Sequence, residues 1–159
     1  MTRVQHCCDQ VTSTSTYVVS DAETAVAAII DPVLDLDHAS GTLGTRSADE
    51  VIEHIRDNNH SLRYILETHI HADHLSSAPY IREQLGGEIV IGSQITTVQE
   101  TFAKIFAEGN GFRRDGSQFD LMLSDGDTLS LGGFDVLAFH VPGHTCLLYT
   151  SPSPRDKTV

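Results

Sequence analysis

Between residues 69 and 74 the chain reads His69-Ile70-His71-Ala72-Asp73-His74, four metal-binding side chains in six positions, directly after the β-prone run Leu62 to Leu66. This cluster constrains the fold more than any other feature. In extended backbone the side chains alternate, so positions 69, 71 and 73 project to one side. His74 joins them only where the chain turns, as it does on entering a helix. The cluster is therefore expected on a loop at the C-terminal end of a strand, the usual ligand position in α/β proteins. Imidazoles suit zinc and iron, and Asp73 adds a hard oxygen for a second ion or a water. A second piece, Val141-Pro142-Gly143-His144-Thr145, closes the last β-prone run, and its Pro-Gly turn can aim His144 at a shared site.

Strands and helices alternate around these two pieces. Thr16 to Val19 and Ala25 to Ile30 read as a hairpin. Ser47-Ala48-Asp49-Glu50 has the spacing of a capping box, followed by the helical stripe Val51, Ile52 and Ile55. Pro79 to Leu85 reads as a helix stopped by Gly86-Gly87. Ile89 to Ile91 reads as a buried strand, and Ile95, Val98, Phe102, Ile105 and Phe106 as the core stripe of another helix. From Phe119 the pattern is strand, Asp125-Gly126-Asp127 turn, strand, Gly132-Gly133 turn, and a strand over Val136 to Val141. No repeat or linker divides the chain. A mixed α/β domain over residues 1–145 is expected.

Composition removes several function classes. With 22 acidic against 10 basic side chains and a net charge of −12, the chain lacks the clustered Lys and Arg of a nucleic-acid surface. Tryptophan is absent, which disfavours base stacking. No apolar run approaches the length of a membrane span. The N-terminus has no apolar signal region, and three cysteines make no disulfide framework, so a cytoplasmic setting is expected.

Taken together, the strand ending Ile30-Asp31-Pro32, the His-x-His-x-Asp-His loop, the Asp125-Gly126-Asp127 turn and the Pro-Gly-His-Thr turn resemble the metallo-β-lactamase superfamily. The resemblance covers roughly Thr16 to Thr145 and implies an αββα sandwich, here its N-terminal part. It implies that His69, His71 and His144 form a first metal site and Asp73 and His74 a second, with Asp73 also the candidate catalytic carboxylate. The stretch Glu67 to Ala78 with the following Gly86-Gly87 looks most like the persulfide dioxygenase branch, with glyoxalase II as a near relative. The first branch implies one Fe(II), held by His69, His144 and a carboxylate beyond Thr145, that oxidises glutathione persulfide with O₂. His71, Asp73 and His74 would then orient ligands and bound water. The second implies one or two Zn(II) ions and hydrolysis of a glutathione thioester. Either implies a small-molecule substrate, and oligomeric state stays open. A reading of another class is an inactive, truncated fragment.

Several other residues carry bland expectations. His54 and His60 are expected to face solvent, and His140 to pack in a core or edge position. Asp35-Leu36-Asp37-His38 is read as an ordinary acidic loop, and Cys7-Cys8 as part of a disordered N-terminus. Cys146 to Asp156 resembles a translated sequencing adapter, so residues 146–159 are expected to be a non-native tail, which excludes Cys146 from the chemistry.

Overall fold

The structure is a computed structural model that describes residues 1–9, 14–37, 39–70, 75–107 and 111–143. Its main sheet has six strands in the order β1 (Thr2–Cys8), β2 (Ser15–Asp21), β3 (Val26–Ile30), β6 (Ser61–Glu67), β7 (Glu88–Gly92) and β8 (Leu121–Leu123). The first three run antiparallel, and β3, β6, β7 and β8 run parallel. Parallel neighbours cannot be joined by a tight turn, so each step carries a helix: α1 (Arg46–Asp57), α2 (Ala78–Leu85) and α3 (Ile95–Ile105). Two short hairpins complete the described residues, β4 (Asp35–Asp37) with β5 (Thr42–Gly44), and β9 (Thr128–Leu131) with β10 (Phe134–Leu137).

Period-two alternation sorts the sheet's side chains into two cores. Ala27, Ile29 and Ile65 face the helices, where they meet Val51, Ile52 and Ile55 of α1 and Ile81 of α2. Ala28, Tyr64 and Val90 face the other way and pack on Leu129 and Leu131 of the β9–β10 hairpin. The result is helix layer, sheet and second sheet, three successive layers of the expected αββα sandwich. β6 sits at the centre, buried on both faces, which is why it reads as a near-continuous apolar run.

The β9–β10 hairpin is pinned to the main sheet by Asp21 at the end of β2. Its carboxylate accepts the Thr24 hydroxyl at 2.7 Å and the Gly133 N–H at 2.8 Å. These two bonds, with help from the Glu23 N–H and the N-terminal amine, hold the Asp21 carboxyl well below the usual carboxylate range. A depressed native pKa contributes stability that is full above the ordinary aspartate value of about 4 and fades as the pH falls below it. Between neutral pH and about pH 3 the thermal midpoint should fall more steeply for the wild type than for Asp21→Asn, measured by circular dichroism. Parallel curves would contradict this role.

The structure corrects five expectations. Residues 2–8 are not disordered: β1 pairs with β2 across seven positions, from Thr2 opposite Asp21 to Cys8 opposite Ser15. Polar residues such as Arg3, Gln5 and His6 hid it, because an edge strand needs no apolar outer face. Cys7 packs on the helix-side core, where burial and the nearby Glu50 charge push its thiol pKa up, opposite to a reactive thiolate. At α1 the expected capping box does not form. The helix begins at Arg46 behind Thr45, and Ser47 gives both its N–H (3.0 Å) and its hydroxyl (2.7 Å) to Asp35 of β4. A tertiary carboxylate has replaced the local cap, and Asp35 has this structural role while His38 lies outside the described residues.

On α3 the stripe turns away from the core after Val98. Phe102, Ile105 and Phe106 are exposed, with the Phe102 and Phe106 rings stacked 5.8 Å apart, while Ile95, Val98, Gln99 and Ala103 are buried. Gln99 sets this rotation: its side chain bonds the Gly116 N–H at 3.1 Å and Gln118 at 3.0 Å, a pairing that a buried amide requires. The last strand ends at Leu137 instead of Val141. Beyond it the chain wraps the Asp125–Asp127 turn, with the Ala138 N–H on the Asp127 carbonyl and the His140 N–H on the Asp125 carboxylate at 2.8 Å. His140 thus sits half-buried at an edge, as expected. His54 and His60 do not face solvent freely; both are half-buried, with ring centroids 6.1 Å apart.

Candidate metal centre

β6 delivers the histidine loop. Its last residue, Glu67, is followed by Thr68 and His69, and His69 is buried at 9% exposure. The loop's start is held by Asp31, which follows β3, the parallel neighbour of β6. The Asp31 backbone takes a positive φ of 49°, a conformation that aspartate tolerates better than most residues. Its carboxylate accepts both the Thr68 N–H (2.7 Å) and the Thr68 hydroxyl (2.6 Å). The loop's far end is tied to the same segment, since Leu34 N–H reaches the Leu75 carbonyl and Ser77 N–H the Pro32 carbonyl. Residues 31–34 therefore clamp both ends of the loop.

The clamp also selects a tautomer. A hydroxyl has one proton, and Thr68 gives it to the Asp31 carboxylate, which can only accept. The Thr68 oxygen lies 2.8 Å from His69 Nδ1, so it accepts the Nδ1 proton and the lone pair of the imidazole falls on Nε2. A ligating histidine carries the same arrangement, one ring nitrogen tied to the protein and the other presenting its lone pair. The chemistry of this donor therefore fits a borderline metal ion.

Beneath the loop, Glu67 is buried and accepts a hydrogen bond from the Ser76 hydroxyl. Burial pushes its carboxyl up to about 8, and the Asp31 charge adds to the effect, against the Ser76 bond that favours the ionised form. Two clefts flank the end of β6. One, of about 290 Å³, is lined by His69, Ile70, Leu75, Pro79 and Phe119. The other, of about 430 Å³, lies between the two sheets and is lined by Asp31, Thr68, Leu66, Ala138 and Phe139. The chain leading to His144 thus passes the same cleft as the clamp.

Of the sequence-derived candidates, the structure places His69; His71, Asp73, His74 and His144 lie outside the described residues. Among the described residues no three His, Cys, Asp or Glu side chains come together as a metal site. Sequence reasoning missed the parts that hold the loop, namely Asp31, Thr68, Glu67 and Ser76. The one local signal was Asp31 before Pro32 at a strand end, a pair that favours turn initiation.

Comparison with known proteins agrees with the layered fold. Residues 9–158 match the family model described as the metallo-beta-lactamase superfamily. A "Probable metallo-hydrolase" of Burkholderia pseudomallei is 48% identical over 143 residues, covering 89% of this chain and 49% of its own length. "Glyoxylase B2" of Dictyostelium discoideum is 37% identical over 140 residues, 86% of this chain and 48% of its own. The mouse mitochondrial "Persulfide dioxygenase ETHE1" is 29% identical over 132 residues, covering 83% of this chain and 40% of its own. The chain thus spans about half the length, or less, of these curated relatives. A crystal structure of ETHE1 from Myxococcus xanthus superposes with a TM-score of 0.67 at 22% identity, over 92% of this chain and 52% of that one. With the layered fold, the clamped histidine loop and a family match over nearly its whole length, the chain belongs to the metallo-beta-lactamase superfamily.

Proposed function

We propose that the protein oxidises the sulfane sulfur of glutathione persulfide to sulfite, using one Fe(II) and O₂. The observation that carries the reading is the Asp31–Thr68–His69 relay, which leaves the imidazole lone pair on Nε2 at the end of the central strand. His69 and His144 are the imidazole ligands of this proposal, and the carboxylate comes from beyond Thr145. Iron held this way supplies positions open to O₂ and to a sulfur ligand. His71, Asp73 and His74 orient the ligands and bound water, Asp73 being the candidate catalytic carboxylate. The chain's own contribution is positional. Asp31 and Thr68 fix the His69 ring, while Ile70, Leu75 and Phe119 give the adjoining cleft an apolar wall. The overall balance is one persulfide, one O₂ and one water to one thiol and one sulfite, the sulfane sulfur losing four electrons to O₂. The similarity to a persulfide dioxygenase supports this substrate class.

A second reading is hydrolysis of a glutathione thioester at one or two Zn(II) ions, and the higher identity to a glyoxylase favours it. The two separate when metal-free protein is reloaded anaerobically with iron or with zinc and each form is assayed on both substrates. Iron-dependent consumption of glutathione persulfide is expected. Zinc-dependent cleavage of lactoylglutathione, with no turnover of persulfide by the iron form, would replace the first reading by the second.

The relay itself is testable. Thr68→Val keeps the side chain's shape and the backbone bond to Asp31 but removes the oxygen that faces Nδ1. Metal affinity should fall about 10- to 100-fold, the range for an outer partner of a ligating histidine, as read by competition with a chromophoric chelator. Unchanged affinity would remove Thr68 from the relay.

A further inference from the structure

On the face of the β1–β2 ribbon away from the histidine loop's clamp, a polar cleft of about 360 Å³ gathers basic groups from three parts of the chain: Arg3 of β1, His54 of α1, and His60 with Asn58 from the turn between α1 and β6. Gln5, Val4, Val18 and Ser20 complete the lining, and among the described residues no carboxylate contributes to it. In a chain with 22 acidic side chains that absence stands out. The His54 and His60 rings lie 6.1 Å apart, and Asn58 Nδ2 holds the first of them from 3.4 Å. The His60 Nδ1 is buried without a hydrogen-bond partner. Burial, the neighbouring His54 and the Arg3 charge all lower the basicity of His60.

We propose that this cleft is a second binding site, separate from the metal loop, which takes a small oxyanion of phosphate or sulfate type, free or as a monoester. Arg3 supplies a permanent charge with a forked set of donors. The two imidazole rings, 6.1 Å apart in the cleft lining, supply further donors. A divalent metal ion is the poorer occupant, because Arg3 cannot ligate and repels it. The C-terminal end of α1 opposes an anion, but its last carbonyls are already covered by the Asn58 side chain and by the backbone N–H groups of Asn58, Asn59 and His60.

The test is nuclear magnetic resonance of the ¹⁵N-labelled imidazoles in the full chain. On titration with inorganic phosphate, and separately with glycerol phosphate, the His54 and His60 ring signals should move saturably while those of His140 stay still. Arg3 is exposed, so Arg3→Met should keep the thermal midpoint yet weaken binding about tenfold or more, the loss expected for one charge-assisted hydrogen bond. Arg82→Met on α2 should bind as the wild type does. Tighter binding of one anion identifies the source, a free ion or an ester. Signals that ignore phosphate, sulfate and glycerol phosphate would overturn the proposal. So would an undiminished response in Arg3→Met, or a response to zinc alone.

Discussion

Replacing His69 by alanine should lower turnover of the iron-loaded enzyme by more than about 100-fold, beyond the range for the outer partners of a ligand. On the proposed reading the substitution removes one of the imidazoles that hold the ion. It also leaves the Asp31–Thr68 pair orienting nothing. The effect should therefore be visible in two ways, as lost turnover and as metal content well below one ion per chain after gel filtration. Protein stability offers the control. The fold's core is built on Ile29, Ile65 and Ile81 and does not include His69, so the thermal midpoint of the metal-free form should move little. Full metal content with turnover within about threefold of wild type would remove His69 from the centre.

The largest effect on stability is expected from Gly132→Ala. Gly132 turns the β9–β10 hairpin at φ +66°, a backbone region that costs a residue with a Cβ about 1–2 kcal/mol. Space is also missing. An added Cβ would overlap the Thr24 hydroxyl and sit 2.7 Å from Asp21 Oδ2 and 2.9 Å from Asp21 Cβ. Thr24 and Asp21 cannot yield without giving up the bond between them and the bond to Gly133 that docks the hairpin. Leu129 and Leu131 would then lose their seat against Ala28, Tyr64 and Val90. Strain and lost docking together should cost about 2–4 kcal/mol, read from chemical denaturation. Gly126→Ala is the matched control. Its φ is also positive, at +85°, but no atom lies within 4 Å of an added Cβ, so only the backbone strain remains. Equal losses at the two glycines would contradict the docking role of Asp21.

These expectations rest on features that the sequence revealed to different degrees. The β6 run Leu62 to Leu66 and the α1 stripe Val51, Ile52 and Ile55 were legible because periodicity is a local property that burial follows closely. The histidine loop was legible for the same reason, its residues being contiguous. Its clamp was not. Asp31 and Thr68 are 37 residues apart, and only the parallel pairing of β3 with β6 makes them neighbours. Asp35 displaced the local cap of α1 in the same way, from 12 residues away. On α3 a single buried glutamine outweighed two phenylalanines. The amide of Gln99 had bonds to satisfy in the 116–118 turn, and the helix rotated to satisfy them. Sequence periodicity marks which faces are apolar, but buried polar groups decide which of two apolar faces goes inward.

The central claim, that this metal loop serves sulfur oxidation rather than hydrolysis, meets its most direct test in an oxygen electrode. Iron-reconstituted enzyme is supplied with glutathione persulfide while dissolved O₂, sulfite and free thiol are followed together. Consumption of one O₂ for each sulfite and each thiol formed, abolished by chelation and by His69→Ala, is the predicted result. Absence of O₂ uptake and of sulfite in the iron form, with lactoylglutathione cleaved by the zinc form, would contradict the claim and leave the hydrolytic reading in its place.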